Sequence, residues 1–127
     1  MKSLCLFIGY TETNHLADKG LIQELERHFD SVIVLTNVAP IEGTFDYMLL
    51  PNKGYDFGFV YQALKEIDLS DIGFLGVINN SQILLDGMTL DAFFQWCHGA
   101  SATCCGLTDS HEAPKGIDKS RSYHVQR

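Results

Sequence analysis

The residues able to do chemistry gather in a few short polar stretches. The longest is Asn52-Lys53-Gly54-Tyr55-Asp56-Phe57-Gly58. The others are Thr11-Glu12-Thr13-Asn14, Asn37, Asn79-Asn80-Ser81-Gln82 and Thr108 to Glu112. Amides, hydroxyls and a few carboxylates in this mixture suit a ligand rich in hydroxyl and imide groups, such as a sugar or a nucleoside. Gly54 permits a positive φ that a side chain would penalise. Gly58 falls in the first turn of the helix that follows, where a missing side chain lets a ligand approach unpaired backbone N–H groups. Asp56 is placed to cap that helix, with Tyr55 and Val60 as a hydrophobic staple. A ligand-free account stands beside this one. A capped turn explains Asp56, turn preference explains Asn79 and Asn80, and a solvated surface explains Asp109 and Glu112.

These stretches need elements to hold them. Leu4 to Gly9, Val32 to Leu35, Tyr47 to Leu50 and Gly73 to Ile78 are short apolar runs that predict buried strands. Thr103 to Leu107 predicts a fifth strand, and Tyr123-His124-Val125 the start of another, with His124 hydrogen-bonded inside it. Leu21, Ile22, Leu25 and Phe29 recur at helical spacing, with Asn14 or Asp18 as cap. Phe57, Val60, Tyr61 and Leu64 predict a second helix from about Phe57 to Ile67. Leu90, Phe93, Phe94 and Cys97 predict a third, with Thr89 as cap. Phe57, Phe59, Tyr61, Phe93, Phe94 and Trp96 are expected mostly in the core. Phe59 and Trp96 lie off the main apolar stripes and are placed to cover a partner or a missing domain. Strands alternating with helices predict an α/β fold, a Rossmann-like three-layer sandwich around a mostly parallel sheet. In such sheets ligands bind beyond the carboxyl ends of the strands, where the polar stretches fall.

Composition sets limits. The 127 residues suit a single domain, 1–127, with a real core. A net charge of −7 argues against sequence-independent nucleic-acid binding, which needs a basic face. No run approaches the about eighteen apolar residues that span a bilayer. The opening Met1 to Gly9 is too short in its apolar part for a signal peptide and is better explained as a first strand. Cys5 and Cys97 fall in expected core elements, while Cys104 and Cys105 are adjacent. No C-x-x-C occurs, so reduced thiols in a cytoplasmic protein fit better than a zinc site. The turn Gly9-Tyr10-Thr11-Glu12 is not a G-x-G-x-x-G, and neither a phosphate-binding G-x-x-x-x-G-K-S/T nor a G-x-S-x-G elbow is present. A receiver domain would need an acidic pair where Gly9-Tyr10 stand.

Four ordered segments carry a resemblance. Asn52 to Gly58, then Leu75-Gly76-Val77-Ile78-Asn79-Asn80-Ser81, then Gly106-Leu107-Thr108-Asp109-Ser110, and last Tyr123-His124-Val125-Gln126 resemble the motifs of the rhamnan synthesis protein F family. That family groups with polysaccharide glycosyltransferases of the GT-A fold, related to glycosyltransferase family 2. The resemblance runs from the first strand to the last residue; its first motif is the most specific. It implies a nucleotide diphospho-sugar donor, a dTDP- or UDP-sugar, and a glycan acceptor in bacterial cell-surface polysaccharide synthesis. Thr11 and Glu12 would lie near the base. Asn52, Gly54 and Asp56 would line the nucleoside pocket, with Gly58 and Asn79 beside the donor. Asn80 would take the metal-binding position, where Mg or Mn would bridge the diphosphate.

Two departures from the family bear on activity. Asn80 stands where the family has an acidic residue, so a cation would be held more weakly; Asp86 and Asp109 are substitutes off the motif position. The chain also ends inside the last motif, so it is expected to be the donor half of an enzyme. An inverting transferase needs a carboxylate base, and Asp109 and Glu112 are the candidates in the late loop. The alternative is a non-catalytic nucleotide-binding or protein-interaction module that keeps the fold, dimerising through a sheet edge. Either way the expected setting is cytoplasmic, with peripheral placement at the inner membrane face as a variant.

Overall fold

In the computed structural model the described residues are 1–9, 19–39, 45–79, 87–101 and 103–106. Contacts divide the chain into two compact units, Met1–Leu85 and Asp86–Arg127.

The first unit is built on four strands: β1 (Lys2–Ile8), β2 (Ser31–Thr36), β3 (Asp46–Leu49) and β4 (Ile72–Asn79). Helix α1 (Lys19–His28) lies between β1 and β2, and helix α2 (Tyr55–Glu66) between β3 and β4. All pairings are parallel, in the order β3-β2-β1-β4. The expected α/β sandwich with a parallel sheet is therefore what forms. β1 is central, buried from Leu4 to Ile8, which explains its unbroken apolar run.

Alternation sends the two halves of each strand to opposite helices. On one face Leu4, Leu6, Ile8 and Leu35 pack with Phe59 and Ala63 of α2. On the other, Gly76 of β4 lies under the Phe29 ring. A Cβ there would stand 2.5 Å from Phe29 Cζ, so the missing side chain lets the ring settle on the strand. Phe29 also stacks on Phe74, with ring centroids 5.8 Å apart. Leu21, Ile22, Leu25 and Phe29 are all buried, as their spacing predicts. Arg27 and His28 close the last turn of α1, where positive charge suits the helix dipole. At the amino edge of the sheet, the Asp30 carboxylate accepts hydrogen bonds from the Ser3 N–H at 2.8 Å and the Ser3 hydroxyl at 3.2 Å.

The second helix departs from expectation. It starts at Tyr55, and its buried face carries Phe59 and Ala63, with Val60, Leu64 and Ile67 packed alongside. Phe57 and Tyr61, expected in the core, are 88% and 63% exposed, while Phe59, expected off the stripe, is fully buried. Both stripes share Val60 and Leu64, so periodicity alone ranks them nearly equal. The small Ala63 lets the helix approach the sheet closely and Phe59 fills the remaining space. Tyr61 keeps its hydroxyl in water, with Lys65 Nζ 4.5 Å from its ring centroid.

In the second unit, helix α3 (Gly87–Gly99) forms as its apolar spacing predicts. Phe94 and Cys97 are buried and Trp96 is half exposed. The expected fifth strand does not form over residues 103–106, which follow an irregular path. Its sequence, Thr103-Cys104-Cys105-Gly106, is short and ends in glycine, which weakens strand pairing. The expected strand at Tyr123 to Val125 lies outside the described residues.

Candidate functional site

The order β3-β2-β1-β4 contains a reversal. From β1 the chain moves outward through β2 to β3, then returns through α2 to place β4 on the far side of β1. Such a reversal, here between β1 and β4, is where open α/β sheets take their ligands, beyond the carboxyl ends of the two strands. Asn79 is the last residue of β4 and pairs in register with Ile8, the last of β1. It stands at the reversal.

Asp56 reaches the same place from α2. Gly54 is the N-cap, with φ +83°, and no side chain caps the helix. Asp56 therefore does not have the capping role expected for it, and Tyr55 opens the helix. Freed from the cap, the carboxylate turns to β4: Asp56 Oδ2 accepts a hydrogen bond from Asn79 Nδ2 at 3.0 Å. Its other oxygen, Oδ1, is buried and accepts no hydrogen bond from the described residues. A buried acceptor left unmatched costs free energy and calls for an explanation, such as a ligand donor. The carboxylate also sits in the first turn of α2, where negative charge is favoured.

The loop that brings Asp56 here is held by its own contacts. The Lys53 N–H donates to the Pro51 carbonyl at 2.9 Å, and the Gly58 N–H donates to the Gly54 carbonyl at 3.0 Å. Gln62, unmarked by sequence, donates through Nε2 to the carbonyls of Pro51 at 3.0 Å and Gly58 at 3.1 Å. It ties the loop to the helix one turn beyond Gly58. Gly58 has a structural cause too. A Cβ there would lie 1.6 Å from the Lys53 carbonyl oxygen, so the chain's own backbone occupies the approach that a ligand was expected to use. Tyr55 itself has φ 53°, a left-handed conformation uncommon for a bulky residue. Asn52 and Gly54 are exposed on the same loop.

At the end of β2, Thr36 is fully buried. Its hydroxyl donates to the Val38 carbonyl at 2.9 Å and accepts from the Val38 N–H at 3.2 Å, which fixes the chain as it passes the half-buried Asn37. The fold thus brings Asp56 and Asn79 into contact and sets Asn52 and Gly54 on the loop before α2, with Gly58 in the helix's first turn. Thr11, Glu12, Asn80, Asp109 and Glu112 lie outside the described residues. Gln62 and Thr36 are additions revealed by their side-chain-to-backbone bonds, local for Thr36 and reaching back to Pro51 for Gln62. The nearest sequence signal was the helical spacing of Gln62 from Gly58, one turn apart.

Comparison with known proteins finds no match to any family model, curated protein or solved structure.

Proposed function

We infer that the unit Met1–Leu85 is a nucleotide-binding domain of GT-A type, and that the chain serves a glycosyltransferase that uses a nucleotide diphospho-sugar to build cell-surface polysaccharide. The observation that carries this reading is the Asp56–Asn79 contact at the reversal of the sheet, with Asp56 Oδ1 buried and unmatched among the described residues. An imide N–H of a uracil or thymine base is a donor of the kind that oxygen needs. The exposed Asn52 and Gly54 would lie along the nucleoside, and Thr11 and Glu12 on the loop after β1. Asp109 and Glu112 remain the proposed bases toward a glycan acceptor.

The donor set fits a divalent cation poorly. Among the described residues, the carboxyl edge of the sheet and the start of α2 offer one carboxylate, Asp56, with one oxygen already committed to Asn79. Mg²⁺ and Mn²⁺ favour several oxygen ligands, with carboxylates foremost. Asn79 and Asn80 supply amides without charge. The reading therefore routes no step through a metal.

The test is a thermal-shift panel of UDP, dTDP, GDP and CDP, each with Mn²⁺ and with a chelator. UDP or dTDP at 100 times its Kd should stabilise the fold by about 2.7 kcal/mol. Asp56→Asn should abolish the shift, and the chelator should leave it nearly unchanged. Absence of any shift would leave only the fold in common with such enzymes.

A second reading, an interaction module without transfer activity, draws on a separate observation. Tyr55, Phe57 and Tyr61 are exposed along α2, and Leu75 and Val77 are exposed on the edge strand β4. Such apolar surface is what a partner or a second copy would cover. A concentration-dependent molecular mass with no nucleotide response would favour it.

A further inference from the structure

The two edges of the parallel sheet are built differently. β3 forms one edge with four residues, opens on the exposed Asp46 and is followed by Leu50-Pro51. Shortness, charge and proline are features that keep an edge strand from pairing with another chain. β4 forms the other edge with eight residues, Ile72-Gly73-Phe74-Leu75-Gly76-Val77-Ile78-Asn79, and carries neither charge nor proline. Among the described residues no strand pairs with its outer side. Leu75 and Val77 stand in register with Leu4 and Leu6, on the face that α2 covers over β1, yet they are 39% and 48% exposed.

We propose that β4 pairs antiparallel with β4 of a second copy of this chain, about a two-fold axis normal to the sheet at Gly76, so that two parallel sheets join into one. The pairing rests on the observation behind the interaction reading, exposed apolar surface on β4, and gives it a partner and a register; it does not need nucleotide binding to be absent. The strand itself selects the occupant. A two-fold pairing needs a strand that complements its own reverse. β4 does so about Gly76: Leu75 falls opposite Val77 of the second copy, Phe74 opposite Ile78, and Gly73 opposite Asn79. A two-fold normal to the sheet keeps each residue on its own face, so both Leu75–Val77 pairs lie together on the face with α2. Such cross-strand pairs are the unit of sheet stabilisation. An axis at Leu75 would instead set Val77 against Gly73 and leave Val77 without an apolar neighbour across the strands. Charge selects the same edge. With a net charge of −7, two copies repel at most approaches. Ile72 to Asn79 holds no ionisable residue, and Asp71, just before it, is paired with Lys2 at 3.8 Å. In the antiparallel arrangement the Asp71 carboxylates of the two copies lie on opposite sides of the axis, ~33 Å apart along the strands and several Debye lengths from each other. One strand pair makes a small interface, so the dimer exchanges with single chains and depends on concentration.

The test measures the mass of the full chain by sedimentation velocity from low to high micromolar concentration. The mass should rise from the 14.2 kDa of one chain toward twice that value and stop there, because a two-fold pairing closes. Leu75→Glu and Val77→Lys fall at positions open to water in the single chain, and each should weaken association about tenfold or more, since the pairing covers an unmatched charge. The double variant Leu75→Glu/Val77→Lys sets the new carboxylate of each copy opposite the new ammonium of the other, and should regain most of what either single change loses. Tyr47→Lys, on β3, should leave association unchanged. Far-UV circular dichroism confirms that the fold is kept; should a charged variant fail it, Leu75→Thr or Val77→Thr takes its place, with a smaller loss in the same direction. The pairing is overturned if the mass stays that of one chain, if it grows past two chains, if Leu75→Glu and Val77→Lys leave it unchanged, or if the double variant associates no better than the single ones. A nucleotide-induced thermal shift with the dimer intact would support the pairing and overturn the interaction reading alone.

Discussion

At the scale of single residues, the Asp56–Asn79 contact is the feature most open to measurement. The pair is part-buried, and removing either partner leaves a polar group of the other without its hydrogen bond, at a greater cost when the group left behind is charged. Asn79→Ala strips Asp56 of the donor it has, and should cost about 1–3 kcal/mol in urea unfolding. Asp56→Ala removes both carboxylate oxygens and leaves only the neutral Asn79 amide short of one acceptor, and should cost less. If Asp56→Ala were the more damaging change, the carboxylate would be a structural necessity and not a binding group held at some expense of stability. Asp30 offers a separate test of charge. The hydrogen bonds from Ser3, backbone first, hold its carboxyl below the ordinary value of 3.8. Because the folded value is depressed, the stability it contributes is present in full above the ordinary value and lost as pH falls through the lower, folded one. Asp30→Asn should therefore flatten the acid limb of the stability profile below about pH 4, and leave its shape above pH 5 unchanged. A profile identical to that of the parent chain would show that the Ser3 contacts do not persist in solution.

At the scale of elements, helix α2 shows how a tie in periodicity is broken. Phe59 is fully buried against β1 and β2, whereas Phe57 points to water. Phe59→Ala should cost about 3–5 kcal/mol, the range for emptying an aromatic site in a core. Phe57→Ala should stay within about 0.5 kcal/mol. Reversed magnitudes would mean that the helix is rotated by one residue from the face described. The loop before the helix follows the same logic of fit. Gly54 supplies a left-handed cap, Gly58 admits the Lys53 carbonyl, and Gln62 locks both to the helix. Together these contacts free Asp56 from capping and turn it toward β4.

At the scale of the whole molecule, the four strands and both helices of the parallel sheet lie within Met1–Leu85, and so does its hydrophobic cluster. A fragment of residues 1–85 should therefore fold alone, with a cooperative urea transition and a dispersed amide spectrum. A non-cooperative transition would show that the sheet depends on the second unit. The acidic balance acts at this scale too. It keeps polyanions away from the chain at large, so the affinity proposed for a nucleotide must come from local donors and acceptors around Asp56.

By itself the sequence determined the α/β class, the four strands, the buried face of α1 and, among the described residues, the polar positions Asn37, Asn52 to Asp56 and Asn79 toward the carboxyl ends of β2, β3 and β4. Those features rest on local pattern: unbroken apolar runs, spacing of three and four residues, and glycine where the backbone turns left. Only the tertiary structure decided which face of α2 turns inward, because Phe57 and Phe59 are equally apolar and the choice depends on how close Ala63 lets the helix approach the sheet. Only it could show that Asp56 meets Asn79 and does not cap, because that bond joins two distant elements through the return of α2 across β1. It likewise showed no fifth strand at residues 103–106, where a short segment ending in glycine follows an irregular path. Local pattern names the parts. Which parts touch is settled by packing and by the order of strands in the sheet.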